Sequence, residues 1–142
     1  MLPLLLDHLL HTEYQHELLG SIVTTVGSPP EVTQPGTGIF LLWAEGLPMT
    51  DEKGFSLATL LSLLSDNARS THLRNRVIIP TLHTIAMLLE NDQLQEQLRE
   101  QPQMLDDIRD LAVETRRNSR VQARKTAASR VQQAADNVIS AS

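Results

Sequence analysis

Three groups of side chains have the types and spacing for chemistry. His8 and His11 stand three residues apart, on one face of any helix, with His16 and the acids Asp7, Glu13 and Glu17 close in sequence. Imidazoles and carboxylates so spaced are the ligands of a zinc site, and would make this a metal-dependent enzyme. Such a site also wants a ligand from elsewhere in the fold and groups that orient each imidazole, and the sequence names neither. The competing reading is a solvated polar face opposite the neighbouring leucines. Asp106, Asp107 and Asp110 form a carboxylate cluster, which a position at a helix start, where the helix dipole favours negative charge, explains without catalysis. The third group is basic: Arg116, Arg117, Arg120, Arg124, Lys125 and Arg130. Positions 116/117, 120 and 124 follow one side of a helix, a face that suits an acidic protein surface. Pairing with Asp110 and Glu114 on an ordinary solvated face is the alternative.

Other chemistries lack their signatures. The sequence has no GxxxxGK[ST], GxGxxG, GxSxG or HExxH pattern and no cysteine, so the phosphate-loop, dinucleotide, serine-hydrolase, zinc-protease and thiol readings have nothing to stand on. The expectation is a protein without catalytic residues and without a cofactor. The chain carries 17 acidic against 12 basic residues, a formal charge of −5, and its basic end has no aromatic platform. Nucleic acid is therefore not expected as a partner. The apolar opening lacks a positive leader, and the longest apolar stretch, 38–44, is too short for a span, so no membrane role and a cytoplasmic location are expected.

The elements that must position these groups are helical. Leu, Ala, Gln, Glu and Arg dominate, and apolar residues recur every three or four positions. The spacing predicts seven helices: one around Leu5 to Leu10 ending near Thr12, one over 14–26, a short one around Ile39 to Trp43, and one from Phe55 ended by Asp66 and Asn67. A fifth runs through Leu73 to Leu89, a sixth around Met104 to Ala112, and a basic terminal helix over about 119–139 packs through Val121, Ala127, Ala128, Val131, Ala134 and Val138. Pro80 implies a kink near Arg76 and Val77 or a start close to Asn75. The proline- and glycine-rich stretch 27–38 reads as a loop, and 93–101 as either a weak helix or a connector. Phe40, Trp43 and Phe55 read as core anchors, and Arg76 as a tie between helix ends. One domain over 1–142, all-α, of HEAT/armadillo-like antiparallel hairpins, fits this pattern.

Several of these stretches resemble a known family. Asn75 to Leu89 (NRVIIPTLHTIAMLL) is similar to the Arg-Val-x-x-Pro-Leu-Leu-Lys-Thr-Leu-x-x-Leu-Leu stretch of tubulin-folding cofactor D near its C-terminus. Tyr14 with Leu19, Ile22, Val23, Val26 and Gly27 resembles its Tyr-x-x-x-x-Leu-x-x-Leu-Val-x-x-Val-Gly helix, and Ile39 to Trp43 its Leu-Phe-x-Tyr segment. Phe55 to Leu64 and Glu114 to Val121 follow in order. The resemblance covers about residues 14–122. His83 stands where the family usually has lysine, Thr81 replaces a leucine, and Gln93 to Gln103 has no counterpart.

The resemblance implies a scaffold of HEAT-like repeats, the C-terminal part of a longer chain. It implies binding of β-tubulin and the αβ-tubulin dimer, work beside other tubulin-folding cofactors and an Arf-like small GTPase, stimulation of tubulin GTP hydrolysis by the assembly, and a microtubule association. On charge complementarity with acidic tubulin surfaces, Arg116, Arg117, Arg120 and Arg124 are the expected binding face. The leucine-rich first helix is expected to have covered a preceding repeat through Leu4, Leu5, Leu6, Leu9 and Leu10, leaving an apolar patch on the isolated chain.

Overall fold

A computed structural model describes residues 2–32, 34–50 and 54–140. Among them are eight helices and no strand: α1 (Leu2–Leu9), α2 (Gln15–Val26), α3 (Thr37–Glu45), α4 (Leu57–Arg69), α5 (Asn75–Glu90), α6 (Asp92–Arg99), α7 (Pro102–Asn118) and α8 (Gln122–Ser140). None of these helices is long and apolar enough to cross a membrane.

The helices form two layers. In one, α2, α5 and α8 lie side by side with their starts at the same end: Gly20 of α2 stands by Val77 of α5, Gly27 by Pro80, Arg124 of α8 by Asn75 and Arg130 by His83. In the other, α4 and α7 run the opposite way, each paired with the helix that follows it through a short turn or, for α4, residues 70–74. This stacking of antiparallel hairpins is the α-solenoid arrangement that the periodicity predicts. Helix α5 is the hub, packed on α2, α4 and α8, and nine of its side chains from Thr81 to Leu89 are buried. Helix α8 presents small residues, Ala127, Ala128, Ala134 and Ala135, with Val131 and Val138, which let it lie close on α5 and α7.

The differences from expectation have local causes. Helix α4 passes Asp66 and Asn67 and ends at Arg69. Asn67 is buried, and its Nδ2 donates to the His16 carbonyl at 3.1 Å, so its amide joins α4 to α2 instead of ending the helix. The 93–101 segment is the helix α6, which raises the number to eight. Asn91 caps it, Oδ1 accepting from Gln93 N–H at 2.8 Å, and Leu94 and Leu98 are wholly buried. Two leucines one turn apart are enough to anchor a helix whose other faces are polar. Helix α5 starts at Asn75, so the missing Pro80 N–H orphans only the Arg76 carbonyl, in the first turn. Helix α3 begins at Thr37, inside the expected loop, with Thr37 Oγ1 donating to the Val26 carbonyl at 3.0 Å.

The first helix corrects a second expectation. Leu2, Leu6 and Leu9 are buried in this chain's own core, so they are not vacant contacts for a preceding repeat; Leu4 alone of the five leucines is strongly exposed. Phe40 is fully buried, while Trp43 and Phe55 are partly buried and close the core's edge, with ring centroids 5.8 Å (Phe40 to Trp43) and 6.0 Å (Trp43 to Phe55) apart.

Ser56 caps α4, its Oγ accepting from Thr59 N–H at 3.1 Å, and is itself buried. Ser56→Ala leaves that donor without its partner, and a loss of about 1 kcal/mol is expected, read as a lower urea midpoint at unchanged slope. An unchanged midpoint would show the cap to be idle.

Candidate functional site

The ends of α4 and α7 and the starts of α5 and α8 meet at one pole of the stack, and there the expected arginines gather, not along one side of a single helix but on the end of α7, the turn after it and the start of α8. Arg116 and Arg117 occupy the last turn of α7, where positive charge complements the helix C-terminus. Both are exposed, as is Arg120 in the turn to α8. Ser119 shapes that turn, its Oγ accepting from Val121 N–H at 3.1 Å. Arg124, in the first turn of α8, is half-buried and donates through Nη1 to Asn75 Oδ1, 3.2 Å away at the start of α5. Three of the four thus face solvent and the fourth is built into the packing. Among the described residues no ion pair joins any of them to Asp110 or Glu114.

The pole is larger than the terminal cluster. Arg69 ends α4, and Arg74 and Arg76 flank the start of α5, all three exposed. The tie between helix ends expected of Arg76 is made by Arg124 instead. The clue lay in the fold more than in the residues: both basic runs flank the turn of a helical hairpin, and stacked hairpins bring their turns together. With Lys125, eight of the chain's 12 Lys and Arg residues gather here. A cleft of about 390 Å³ opens between α4, α7 and α8, with Arg69, Glu114, Asn118, Ser119 and Arg124 in its walls.

Arg130 belongs elsewhere. Its guanidinium forms a two-pronged pair with Glu90, at 2.9 and 2.7 Å, while Nη1 donates to the Ser28 carbonyl at 2.9 Å and to His83 Nδ1 at 3.1 Å. One side chain therefore ties α8 to α5 and to the loop after α2. Because arginine only donates, His83 Nδ1 must accept, which puts the neutral ring's proton on Nε2. Burial, and then the positive charge of Arg130, lower the His83 pKa to about 4, against the opposing pull of Glu31 and Glu90.

The histidine cluster does not assemble. His8 and His11 are exposed on α1 and the turn after it, and His16 on α2 faces Asp66 at 3.5 Å. Among the described residues no three His, Asp or Glu side chains converge as metal ligands. Asp106, Asp107 and Asp110 also stand differently than expected. Helix α7 begins at Pro102, so they lie beyond its first turn, where the dipole no longer favours them, and all three are exposed.

No curated protein and no solved structure shows a match to the chain. A family model does: the one described as tubulin folding cofactor D C terminal matches residues 1–124, from α1 through the first turn of α8. That match takes in seven helices of the stack and the whole basic pole except Lys125, and with it the chain belongs to the tubulin folding cofactor D C-terminal family.

Proposed function

We propose that this chain is a non-catalytic scaffold segment in tubulin folding that binds β-tubulin through its basic pole during assembly of the αβ-tubulin dimer. The family match over residues 1–124 carries the reading. The two-layer helical stack supports it, since such stacks act by offering extended surfaces to protein partners. The pole supports it by charge: Arg116, Arg117 and Arg120 project into solvent free of carboxylate partners among the described residues. Other tubulin-folding cofactors and an Arf-like small GTPase are its companions in this reading, stimulation of tubulin GTP hydrolysis is a property of the assembly, and the setting is the cytoplasm at microtubules.

Size-exclusion chromatography with αβ-tubulin, with molar mass read by light scattering at low and moderate salt, tests it. Co-elution at moderate salt is the expected result, and separate elution of the folded chain overturns it. Arg116→Glu, Arg117→Glu and Arg120→Glu together reverse the exposed part of the pole. This triple variant is expected to slow association by about tenfold and to flatten its salt dependence, because removing charge complementarity acts mainly on the on-rate. Unchanged association would place the contact on another face.

A further inference from the structure

The cleft at the basic pole is more specific than a solvated charged surface. Arg69 and Arg124 reach it from different hairpins, and each is held by a neutral acceptor: the Asp107 carbonyl for Arg69 Nη2 at 3.3 Å, Asn75 Oδ1 for Arg124 Nη1 at 3.2 Å. Neither guanidinium is paired with a carboxylate among the described residues. Arg124 Nε is buried with no hydrogen-bond partner. Asn118 and Ser119 add neutral polar groups to the wall.

We propose that this cleft seats carboxylate side chains of an acidic, extended segment of a partner protein. The proposal rests on the reading of the chain as a protein-binding scaffold and names the chemistry its partner must bring. Guanidinium groups with no carboxylate at ion-pair distance among the described residues are natural counterparts of carboxylates. Arg116, Arg117 and Arg120, exposed at the same end of the α7–α8 hairpin, lie outside the cleft wall and add positive charge around it, which suits a segment with several acids better than one small anion. Protein is favoured over nucleic acid on three grounds. Glu114 stands in the wall, no aromatic ring lines the cleft to stack a base, and the chain as a whole carries −5, which opposes a long polyphosphate.

The test is fluorescence anisotropy of a labelled deca-glutamate peptide titrated with the full chain at about 50 mM NaCl and again at higher salt. The peptide is expected to bind, and more weakly as salt rises. Arg69→Gln with Arg124→Gln is expected to weaken binding about tenfold or more, and Glu114→Gln to strengthen it a few-fold, by removing a like charge from the wall. Arg99→Gln, on α6 at the opposite end of α7, should leave it unchanged. Because Arg124 also holds Asn75, circular dichroism checks the double variant's fold, and Arg69→Gln and Glu114→Gln alone decide if it fails. Absence of peptide binding at low salt, indifference to Arg69→Gln, or tighter binding of a ten-nucleotide oligothymidylate would each overturn the proposal. Tubulin co-elution without peptide binding would sink the cleft and leave the scaffold reading standing. Peptide binding without tubulin co-elution would do the reverse.

Discussion

Gly27→Ala is expected to lower the stability of the chain by about 3 kcal/mol and its melting temperature by about 10 °C, since an added Cβ meets closer atoms there than at Gly20, Gly36, Gly38 or Gly46. Gly27 closes α2 and is buried against the middle of α5. A Cβ built there would overlap the Pro80 carbonyl oxygen and come within 2.6 Å of Thr84 Oγ1 and 2.8 Å of the Pro80 carbonyl carbon. Two of those three atoms are backbone of the hub helix. The third is pinned, since Thr84 Oγ1 donates to that same Pro80 carbonyl at 2.7 Å. Relief therefore requires α2 and α5 to separate, which loosens Ile22, Val23 and Val26 in the core. Gly38→Ala provides the contrast. Among the described residues nothing lies within 4 Å of the added Cβ, and the position sits in helix α3, so a gain of about 0.5–1 kcal/mol is expected from helix propensity alone. Thermal melts followed by circular dichroism compare the two. Equal melting temperatures would show that α2 and α5 have room to spare.

That close approach shows what was legible in the sequence and what was not. Gly27 followed by Ser28-Pro29-Pro30 reads as a helix stop, and a stop it is; that the same glycine is also the contact between two helices is not written in its neighbours. Amphipathic stripes fare best. Leu60, Leu61 and Leu64, or Ile78, Leu82, Ile85 and Leu89, mark their buried faces by spacing alone, and all are buried. Boundaries set by a side chain's distant partner fare worst. Asn67 carries a local stop signal, yet its amide is used by the carbonyl of His16 on another helix. Helix α6 reads only as one of two alternatives because all its residues but Leu94 and Leu98 are polar, and those two leucines, both buried, are its apolar anchor. The arginines of the α7–α8 turn stand out as a run. Arg69, Arg74 and Arg76 look scattered until the hairpins stack and bring the two turns to one end.

The same limit applies to Arg130, which reads as one more member of a basic patch and is instead the joint between α8, α5 and the loop after α2. Only 13% of its side chain is exposed, and every acceptor it meets belongs to a different element from its own. Arg130→Ala frees the Glu90 carboxylate, which can turn to solvent, but strands the Ser28 carbonyl and His83 Nδ1 in the interior. A loss of about 2–3 kcal/mol is expected. The family resemblance places lysine where this chain has His83; a lysine ammonium there would face the Arg130 guanidinium, whereas a neutral imidazole accepts a hydrogen bond from it. The arrangement makes stability depend on pH. The folded His83 has a pKa of about 4 against an ordinary 6.5, so between those values the unfolded chain binds a proton that the folded chain does not. The contribution is complete above pH 6.5 and drains away as pH falls towards 4, by roughly 1–2 kcal/mol at pH 5. In Arg130→Ala one of the two causes that lower the pKa is gone, so the slope between pH 6.5 and 5 should flatten even though the protein is weaker throughout. Urea midpoints at pH 7.5, 6.5 and 5.5 for the two chains measure this directly. A slope as steep in the variant as in the parent would mean that burial alone holds His83 neutral, and that Arg130 is a mechanical tie with no part in the titration.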